Sequence, residues 1–275
     1  MIQDKAKVII IGGGVIGCSV AYHLSKLGWN DIVLLERKQL TSGTTWHAAG
    51  LIGQLRASAN MTKLAKYTQE LYFDLEKETG VSTGFKRVGS ISVALTNERM
   101  EELKRSAAMA RAFGVDVEEI SPREIKNRYP HINLERIVGG VFLGKDGQGD
   151  PANIALALAK GARQEGAKIY EGVTATKIFK NQNKVTGVEW TNRHGESGRI
   201  SCEEIVNCAG MWGHSVGKML GTNIPLHACE HFYIVTEPIA ELTQLPVLRV
   251  PDECAYYKDC LLYTSPAHET SLHLV

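Results

Sequence analysis

The sequence predicts an α/β fold in which a parallel sheet is interrupted by a second, mainly antiparallel α+β region. Three observations predict this fold. A strand, a glycine-rich turn, a helix and a second strand follow one another at the N-terminus, the segment from 84 to 138 breaks that alternation, and residues 150 to 220 resume it. A chain of 275 residues is long enough for one large domain or two smaller ones.

The first strand and helix enclose a glycine-rich turn. Lys7–Ile11 is a short β-branched apolar run, which predicts a buried parallel strand. Gly12, Gly14 and Gly17 follow in the G-x-G-x-x-G spacing that allows a tight turn, close approach to a pyrophosphate and close helix packing. The helix predicted over Val15–Leu27 aims free N–H groups at a phosphate. Its predicted apolar face consists of Ile16, Val20, Leu24 and Leu27.

The second strand, Ile32–Leu35, ends in an acidic residue, Glu36. A carboxylate at this position accepts hydrogen bonds from both ribose hydroxyls of an adenosine. It also repels a 2′-phosphate, so NADP is disfavoured, although Arg37 and Lys38 follow directly. The ordered set of elements predicts a Rossmann-type nucleotide-binding domain, and a Rossmann-like unit without a ligand is the alternative.

Residues 39 to 54 form a long connection, which in a compact domain is often functional. It contains the run Ser42–Gly50, rich in small and hydroxyl residues. Its backbone can therefore approach a ligand closely, and its hydroxyls can bond phosphate or ribitol oxygens.

The glycine fingerprint and the Ser42–Gly50 run together resemble the FAD-dependent amine oxidoreductases, a family that includes sarcosine and dimethylglycine dehydrogenases. In that family the histidine of this run is bonded covalently to the 8α position of the flavin, which implies that His47 is the attachment site. A hydrogen-bonded loop histidine is the alternative. The expected cofactor-binding residues are Gly12, Gly14, Val15, Ile16, Gly17, Glu36, Arg37, Ser42, Gly43, Thr44, Thr45, His47, Ala49, Gly50, Leu51, Val173, Cys208, Ala209 and Gly210.

The segment from 84 to 138 does not continue the alternation of strand and helix. A helix is predicted before it over Asn60–Thr79, with Leu64, Tyr67, Leu71 and Leu75 on one face. A strand pair is predicted over Gly84–Leu95, a helix over Glu98–Phe113 and a capped helix start at Ser121. We therefore assign residues 84–138 to an inserted substrate domain.

The nucleotide domain is predicted to resume with a helix from Asp150 to about Glu165 and the strand Ala167–Tyr170. Two β-rich stretches over Val173–Trp190 follow, which the resemblance identifies as a β-meander. Glu204–Gly210 then predicts a strand, and Trp212–Leu220 predicts a helix. The predicted domains are 1–83 with 139–223 for FAD and 84–138 with 224–259 for the substrate.

The resemblance also implies that the chain is C-terminally incomplete. The family's oxidoreductase region continues past this length, and many members then carry a folate-binding region, so folate is expected only in a full-length parent. Residues Cys260–Pro266 resemble the translation of a sequencing-library adapter. We therefore expect the native sequence to stop near Asp259 and residues 260–275 not to pack as family structure.

The reaction that the resemblance implies is oxidative demethylation of sarcosine or dimethylglycine, by hydride transfer from the N-methyl carbon to covalently bound FAD. This chemistry needs an uncharged amine nitrogen, a hydride path to the flavin and a clamp for the substrate carboxylate. The resemblance implies that His231, in a His-x-Tyr segment, and Tyr256, in a Tyr-Tyr pair, orient the substrate. A structural role for each is the alternative, and Arg249 is either a carboxylate ligand or a surface arginine.

Two other functions compete with this one. The stretch Ile224–Tyr233 also resembles the regulatory subunit of pyruvate dehydrogenase phosphatase, a non-catalytic relative that lacks the flavin-linking histidine. The presence of His47 favours catalysis. A nicotinamide-dependent dehydrogenase is disfavoured by the run around that histidine.

Composition predicts neither nucleic-acid binding nor a membrane span. The net charge is +1, without a basic stripe, and no apolar run approaches the length of a membrane helix. The six cysteines form no C-x-x-C pair, which favours reduced, mostly buried thiols. Because the first strand begins at Lys7, we expect a cytoplasmic protein, or one of the mitochondrial matrix if a transit peptide was removed. The electron acceptor is left open.

Overall fold

The structure is a computed structural model that describes residues 2–237, 244–262 and 269–274, with side chains described as far as Asp259. Its strands, β1 to β16 in chain order, are Val8–Ile11, Ile32–Glu36, Leu51–Ile52, Ser90–Ala94, Glu118–Ile120, Gly139–Leu143, Gly147–Gln148, Lys168–Glu171, Val173–Asn181, Lys184–Asn192, Ser197–Ser201, Glu204–Asn207, Ile234–Val235, Val247–Val250, Ala255–Leu262 and Glu269–Leu274. Its α-helices, α1 to α6, are Val15–Lys26, Ala59–Thr79, Asn97–Ala112, Pro122–Arg128, Pro151–Gln164 and Gly213–Lys218.

The chain divides into two compact units, each built from three stretches of sequence. Unit 1 comprises the residues up to Ala48, Asp74–Gly84 and Asp150–Cys229, and unit 2 comprises Ala49–Phe73, Phe85–Gly149 and the residues from Glu230 onward. The predicted boundaries differ from these, because residues 49–73 and 139–149 belong to unit 2 and residues 224–229 to unit 1. The reason is strand pairing, because β3 pairs with β7 and β6 pairs with β4. The strands β3 and β7 have only two residues each, and strands of that length are hard to recognise in a sequence.

Unit 1 contains a parallel sheet and a β-meander, as predicted. The parallel sheet has the order β12-β1-β2-β8, and the antiparallel sheet has the order β11-β10-β9. Side chains of β1 and β2 form one buried cluster with side chains of the meander, which covers that face of the parallel sheet. Members of this cluster are Ile9, Ile11, Val33, Leu35, Val173, Ala175, Ile178, Val188 and Ile200.

Helix α1 contacts β1, β2 and α5 through a different face from the one predicted. Ile16 and Leu27 of the predicted face are 64% and 75% exposed. The buried residues are Gly17, Cys18, Ala21, Tyr22 and Ser25. These residues are mostly small because α1 and α5 approach closely, and a Cβ on Gly161 of α5 would lie 2.7 Å from the Tyr22 ring. The large apolar residues at helical spacing therefore predicted the wrong face of α1 to be buried.

Unit 2 contains a mainly antiparallel sheet of order β13-β16-β15-β14-β4-β6-β5, in which only β14 and β4 pair in parallel among the described strands. Ile91, Val93 and Leu248 lie on one face and form a core with Ile125 of α4. The other face packs in part on α3. This arrangement confirms the predicted α+β character of the second region.

Several predictions for unit 2 differ in detail from the structure. Of the strand pair expected over 84–95, the structure contains β4 and an isolated bridge from Lys86 to Gln148. In α2, Leu64 and Tyr67 of the expected apolar face are 55% and 47% exposed. The capping box at Ser121 and Glu124 is present as predicted.

Residues 260–262 and 269–274 lie in strands β15 and β16, which pair with each other in antiparallel register. The expectation that residues 260–275 do not pack as family structure stays a prediction. A β-ladder is formed by backbone N–H and C=O groups that every sequence has, so pairing by itself does not identify a native segment. A native end near Asp259 stays a prediction.

The described helices and cysteines bear on two further expectations. Within the part of the chain that the structure describes, no helix is both long enough and apolar enough to cross a membrane. Cys18 and Cys202 are buried free thiols, whereas Cys229 and Cys254 are exposed, so the prediction of mostly buried thiols holds only in part.

We expect Leu158→Ala to lower the free energy of unfolding by about 2–5 kcal/mol, because this side chain of α5 is fully buried and truncation leaves a cavity. Leu156→Ala is the matched control on the same helix, where the side chain is 38% exposed, and it should change stability by about 0.5 kcal/mol or less. Urea unfolding of both variants measures the difference. Equal destabilisation would contradict the packing of α5.

Candidate functional site

The turn after β1 can be built only from glycine at its first and last fingerprint positions. Gly12 has φ +112°, and a Cβ there would collide with the carbonyl oxygen of Cys208. A Cβ on Gly17 would collide with the carbonyl oxygen of Gly12. The loop after β12, the turn after β1 and the start of α1 therefore meet backbone to backbone, leaving the peptide groups accessible at the ends of the parallel strands.

The carboxylate of Glu36 is held in place by backbone donors. The N–H of Gly13 donates to Oε2 at 2.7 Å, and the N–H of Lys38 donates to Oε1 at 2.8 Å. Each carboxylate oxygen can accept a further hydrogen bond, so the group remains able to bind hydroxyls. Sequence reasoning did not single out Gly13, whose only signal is its place inside the fingerprint.

The connection after β2 folds over the N-terminus of α1. Thr45 Oγ1 accepts a hydrogen bond of 3.0 Å from the N–H of Val15, and the N–H of Thr41 donates to the carbonyl of Gly13 at 2.9 Å. These contacts bring the small and hydroxyl residues of the Ser42–Gly50 run, as far as Thr45, to the glycine turn.

These elements enclose a cavity of about 360 Å³ within unit 1. Most of the predicted cofactor-binding residues line it, namely Gly12, Gly14, Val15, Ile16, Glu36, Arg37, Ser42, Gly43, Thr44, Thr45, Val173, Cys208, Ala209 and Gly210. Gly17 and His47 do not line it, and Ala49, Gly50 and Leu51 belong to unit 2. Residues that sequence reasoning missed include Gly13, Lys38, Trp212, Ser215, Val216 and Met219.

Trp212 closes one side of the cavity. The Arg37 guanidinium lies 4.1 Å from the centroid of its ring, and a Cβ on Gly43 would be 3.3 Å from the ring. Arg37 therefore stacks on an aromatic face, a geometry that stabilises a cation. The only signal for Trp212 in the sequence was a large aromatic residue just after a strand that ends in small residues.

The two thiols near the turn are neutral. Burial raises the pKa of Cys18 to about 12 and also raises the pKa of Cys208, which lines the cavity. A thiol rather than a thiolate is a poor nucleophile and a poor metal ligand. Among the described residues, no group of His, Cys, Asp or Glu side chains has the arrangement of a metal site.

His47 is the last residue of a 3-10 helix over Thr45–His47, which contacts α5. Its side chain is exposed, and its ring centroid lies 3.7 Å from that of Trp46 at an interplanar angle of 36°. The imidazole is thus supported by an aromatic neighbour while its exposed surface stays reachable.

The two predicted substrate residues both lie in unit 2 and outside the cavity of unit 1. His231 is exposed in a segment without regular secondary structure. Tyr256 lies on β15, directly opposite Arg249 of β14. Burial raises the pKa of the Tyr256 phenol, while Arg249 opposes the shift, so the phenol stays protonated at neutral pH.

The groups lining the cavity fit the adenosine and pyrophosphate portion of a dinucleotide such as FAD. The glycine turn and the N-terminus of α1 supply N–H groups and positive partial charge for phosphate oxygens. Glu36 supplies acceptors for ribose hydroxyls, and Val173, Val216 and Met219 supply apolar surface.

Comparison with known proteins agrees with this fit. A sequence model of the FAD dependent oxidoreductase family matches residues 7–268. The chain is 43% identical over 236 residues to the mitochondrial pyruvate dehydrogenase phosphatase regulatory subunit of Mus musculus, covering 85% of this chain and 26% of that protein. It is 40% identical over 263 residues to mitochondrial sarcosine dehydrogenase of Homo sapiens, covering 94% of this chain and 28% of that protein.

The chain therefore spans between a quarter and a third of the length of these two relatives. The crystal structure of L-proline dehydrogenase from P. horikoshii matches 99% of this chain and 70% of that chain with a TM-score of 0.83. Their sequence identity is 24%, so this match shows the fold alone.

We expect Glu36→Ala to weaken the binding of ADP, used as a probe, by about tenfold to a hundredfold, because two hydrogen bonds to a charged acceptor are lost. Isothermal titration calorimetry of this chain measures the effect. Glu203→Ala, at an exposed position that does not line the cavity, is the matched control and should leave ADP binding unchanged. An equal loss in both variants would contradict the assigned role of Glu36.

Proposed function

This chain belongs to the family of FAD-dependent oxidoreductases, and from that premise we propose that it is the N-terminal part of a flavoenzyme that demethylates an N-methyl amino acid. Sarcosine and dimethylglycine are the proposed substrates. The observation that carries the proposal is the cavity of unit 1, in which a backbone-held Glu36 carboxylate stands beside a turn that only glycine can form.

The residues of unit 1 supply the binding part of this function. Backbone N–H groups at the turn after β1 bind the pyrophosphate, and Glu36 binds the adenosine ribose. Thr45 fixes the connection that carries His47 by accepting a hydrogen bond from Val15. When bound, the flavin would supply the oxidising chemistry by accepting a hydride from the substrate methyl carbon.

His47 is the proposed site of covalent attachment. Its side chain is exposed and lies on a short helix anchored by the buried Thr45, so the imidazole is positioned without being enclosed. An imidazole nitrogen can act as a nucleophile, so His47 would hold the flavin through a covalent bond.

Residues of unit 2 supply the proposed substrate contacts. Tyr256 keeps its phenolic proton at neutral pH and can donate a hydrogen bond to the substrate, and His231 is exposed and able to contact the amine. The curated relatives are more than three times as long as the matched region, so a complete pocket, and any folate site, would belong to the full-length parent.

A non-catalytic regulatory function is the second candidate. The specific observation in its favour is the 43% identity to the pyruvate dehydrogenase phosphatase regulatory subunit. The retained His47 favours the enzyme. Because both relatives are named as mitochondrial, the matrix is the proposed compartment in preference to the cytoplasm.

We expect the full-length parent protein to give a yellow pellet after acid precipitation, and His47→Ala to give a colourless pellet and a yellow supernatant. The imidazole would form the only covalent link to the flavin, whereas the cavity contacts of unit 1 remain in the variant. His194→Ala, at an exposed turn histidine, is the matched control and should stay yellow in the pellet. A colourless wild-type pellet would show that the attachment does not exist.

We further expect sarcosine or dimethylglycine, added without oxygen, to bleach the oxidised flavin absorbance of the full-length parent. A regulatory relative would not be reduced by either amine, since it has no oxidative step. The measurement is stopped-flow absorbance, with glycine, which lacks the N-methyl group, as the control compound. An unbleached flavin in the presence of both amines would favour the regulatory candidate.

A further inference from the structure

Unit 2 contains a cavity of about 460 Å³ that is lined only by its own residues. Its floor is one face of the sheet of unit 2. Leu248 of β14 and Tyr257 of β15 are in register and both line the cavity. Alternate residues of a strand point to opposite faces, so Tyr256 lies on the other face of the sheet. The cavity is therefore separate from the proposed substrate contact of Tyr256.

The floor and inner walls of this cavity are mainly apolar. Val93 of β4 and Val250 of β14 are buried core residues that line it. The other aliphatic residues of the lining are Leu95, Ile132, Ile137 and Leu248. Pockets that bind small molecules typically have volumes of about 300–1,000 Å³ and predominantly hydrophobic walls with a few polar groups. The size and lining of the cavity thus fit a small molecule with a large apolar surface.

The connection between α4 and β6, residues 129–138, forms one wall of the cavity. Its own hydrogen bonds hold it in place. Nζ of Lys126 donates to the carbonyl of Ile132 at 2.8 Å, and the N–H of Ile137 donates to the carbonyl of Leu134 at 3.0 Å. A wall that is already ordered loses little conformational entropy when a ligand binds, which favours affinity.

The phenol of Tyr129 is a buried polar group that opens into the cavity. Tyr129 is 5% exposed, and its phenolic oxygen makes no hydrogen bond within the described part of the chain. That oxygen is not sealed from solvent, and Tyr129 lines the cavity. Burial raises the pKa of Tyr129 to about 12, with further contributions from Asp259 and Tyr257, so the phenol is protonated at neutral pH. Tyr129 therefore presents an O–H donor to a molecule in the cavity.

The rim of the cavity has more acidic than basic groups. Glu135, Arg136 and Glu253 line it and are exposed. Nη1 of Arg136 lies 3.7 Å from Oε1 of Glu253, and their side chains are 73% and 47% exposed. An exposed ion pair contributes little to stability, so it can separate when a ligand enters. Two glutamates against one arginine leave an excess of negative charge, which disfavours the entry of an anion.

We propose that this cavity binds an uncharged aromatic molecule that carries a hydroxyl or carbonyl oxygen. The aromatic ring packs on the apolar floor beside Tyr257, and the oxygen accepts a hydrogen bond from Tyr129. The acidic rim rejects carboxylates, so this class of ligand differs from the amino acids of the proposed reaction. The site does not depend on the proposed function, because neither His231 nor Tyr256 lines it.

The test is isothermal titration calorimetry of the full-length parent protein with 2-naphthol. The comparison ligand is 2-naphthoate, which has the same two rings but carries a negative charge. Tyr129→Phe removes only the phenolic oxygen, and Leu95→Trp adds bulk at a half-buried position of the lining. Tyr256→Phe is the matched control, since it makes the same chemical change on the opposite face of β15.

We expect 2-naphthol to bind the wild type, and Tyr129→Phe to weaken this binding about threefold to tenfold, because one hydrogen bond between neutral groups is lost. Leu95→Trp should abolish the binding by filling the cavity, and Tyr256→Phe should leave it unchanged. We expect 2-naphthoate to bind the wild type about tenfold more weakly than 2-naphthol does, because of the acidic rim.

Three results would overturn the assignment. The first is a wild-type protein that does not bind 2-naphthol, as would happen if another part of the parent protein occupied the cavity. The second is tighter binding of 2-naphthoate than of 2-naphthol. The third is 2-naphthol binding that Tyr129→Phe leaves unchanged or that Tyr256→Phe weakens, which would place the probe elsewhere. Circular dichroism checks that each variant is folded, and if Leu95→Trp is not, the comparison of the two tyrosine variants decides.

Discussion

The close approach of three backbone segments at the carboxyl end of β1 is the constraint on which unit 1 depends. Gly12 lies against the carbonyl of Cys208, and Gly17 lies against the carbonyl of Gly12, so no side chain fits between strand, turn and helix. This contact sets the position of the N-terminus of α1, which in turn receives Thr45 from the connection after β2. The cavity exists because these peptide groups are close together and not covered by side chains.

The candidate contacts of the two units are of different kinds. In unit 1 the groups that line the cavity are mainly backbone groups, and Glu36, the one acidic residue of that lining, is itself held by the N–H groups of Gly13 and Lys38. Backbone-held groups move little, which suits a cofactor that stays in place. In unit 2 the candidate contacts are the side chains of His231 and Tyr256, which a few substitutions can change.

Two large apolar residues of α1, Ile16 and Leu27, are exposed, and only Ile16 lies at the cavity. Ile16 is 64% exposed and lines the cavity, so its exposure is consistent with a ligand contact. Leu27 is 75% exposed and does not line the cavity. The helix instead packs through Gly17, Ala21 and Ser25, since close contact with α5 leaves no room for large side chains. Hydrophobic periodicity reports side-chain size and polarity, and it does not report how near a neighbouring helix lies.

The sequence by itself determined the α/β class, the parallel strands, the glycine turn and Glu36, because each depends on residue type over a short stretch of chain. Only the tertiary structure decided that residues 49–73 and 139–149 belong to unit 2, since two-residue strands such as β3 and β7 are defined by their pairing. It also decided that Trp212 closes the cavity and that the Arg249 Nε is buried without a hydrogen-bond partner among the described residues. Contacts between residues distant in sequence leave no local pattern, so burial and pairing become visible only in the folded chain.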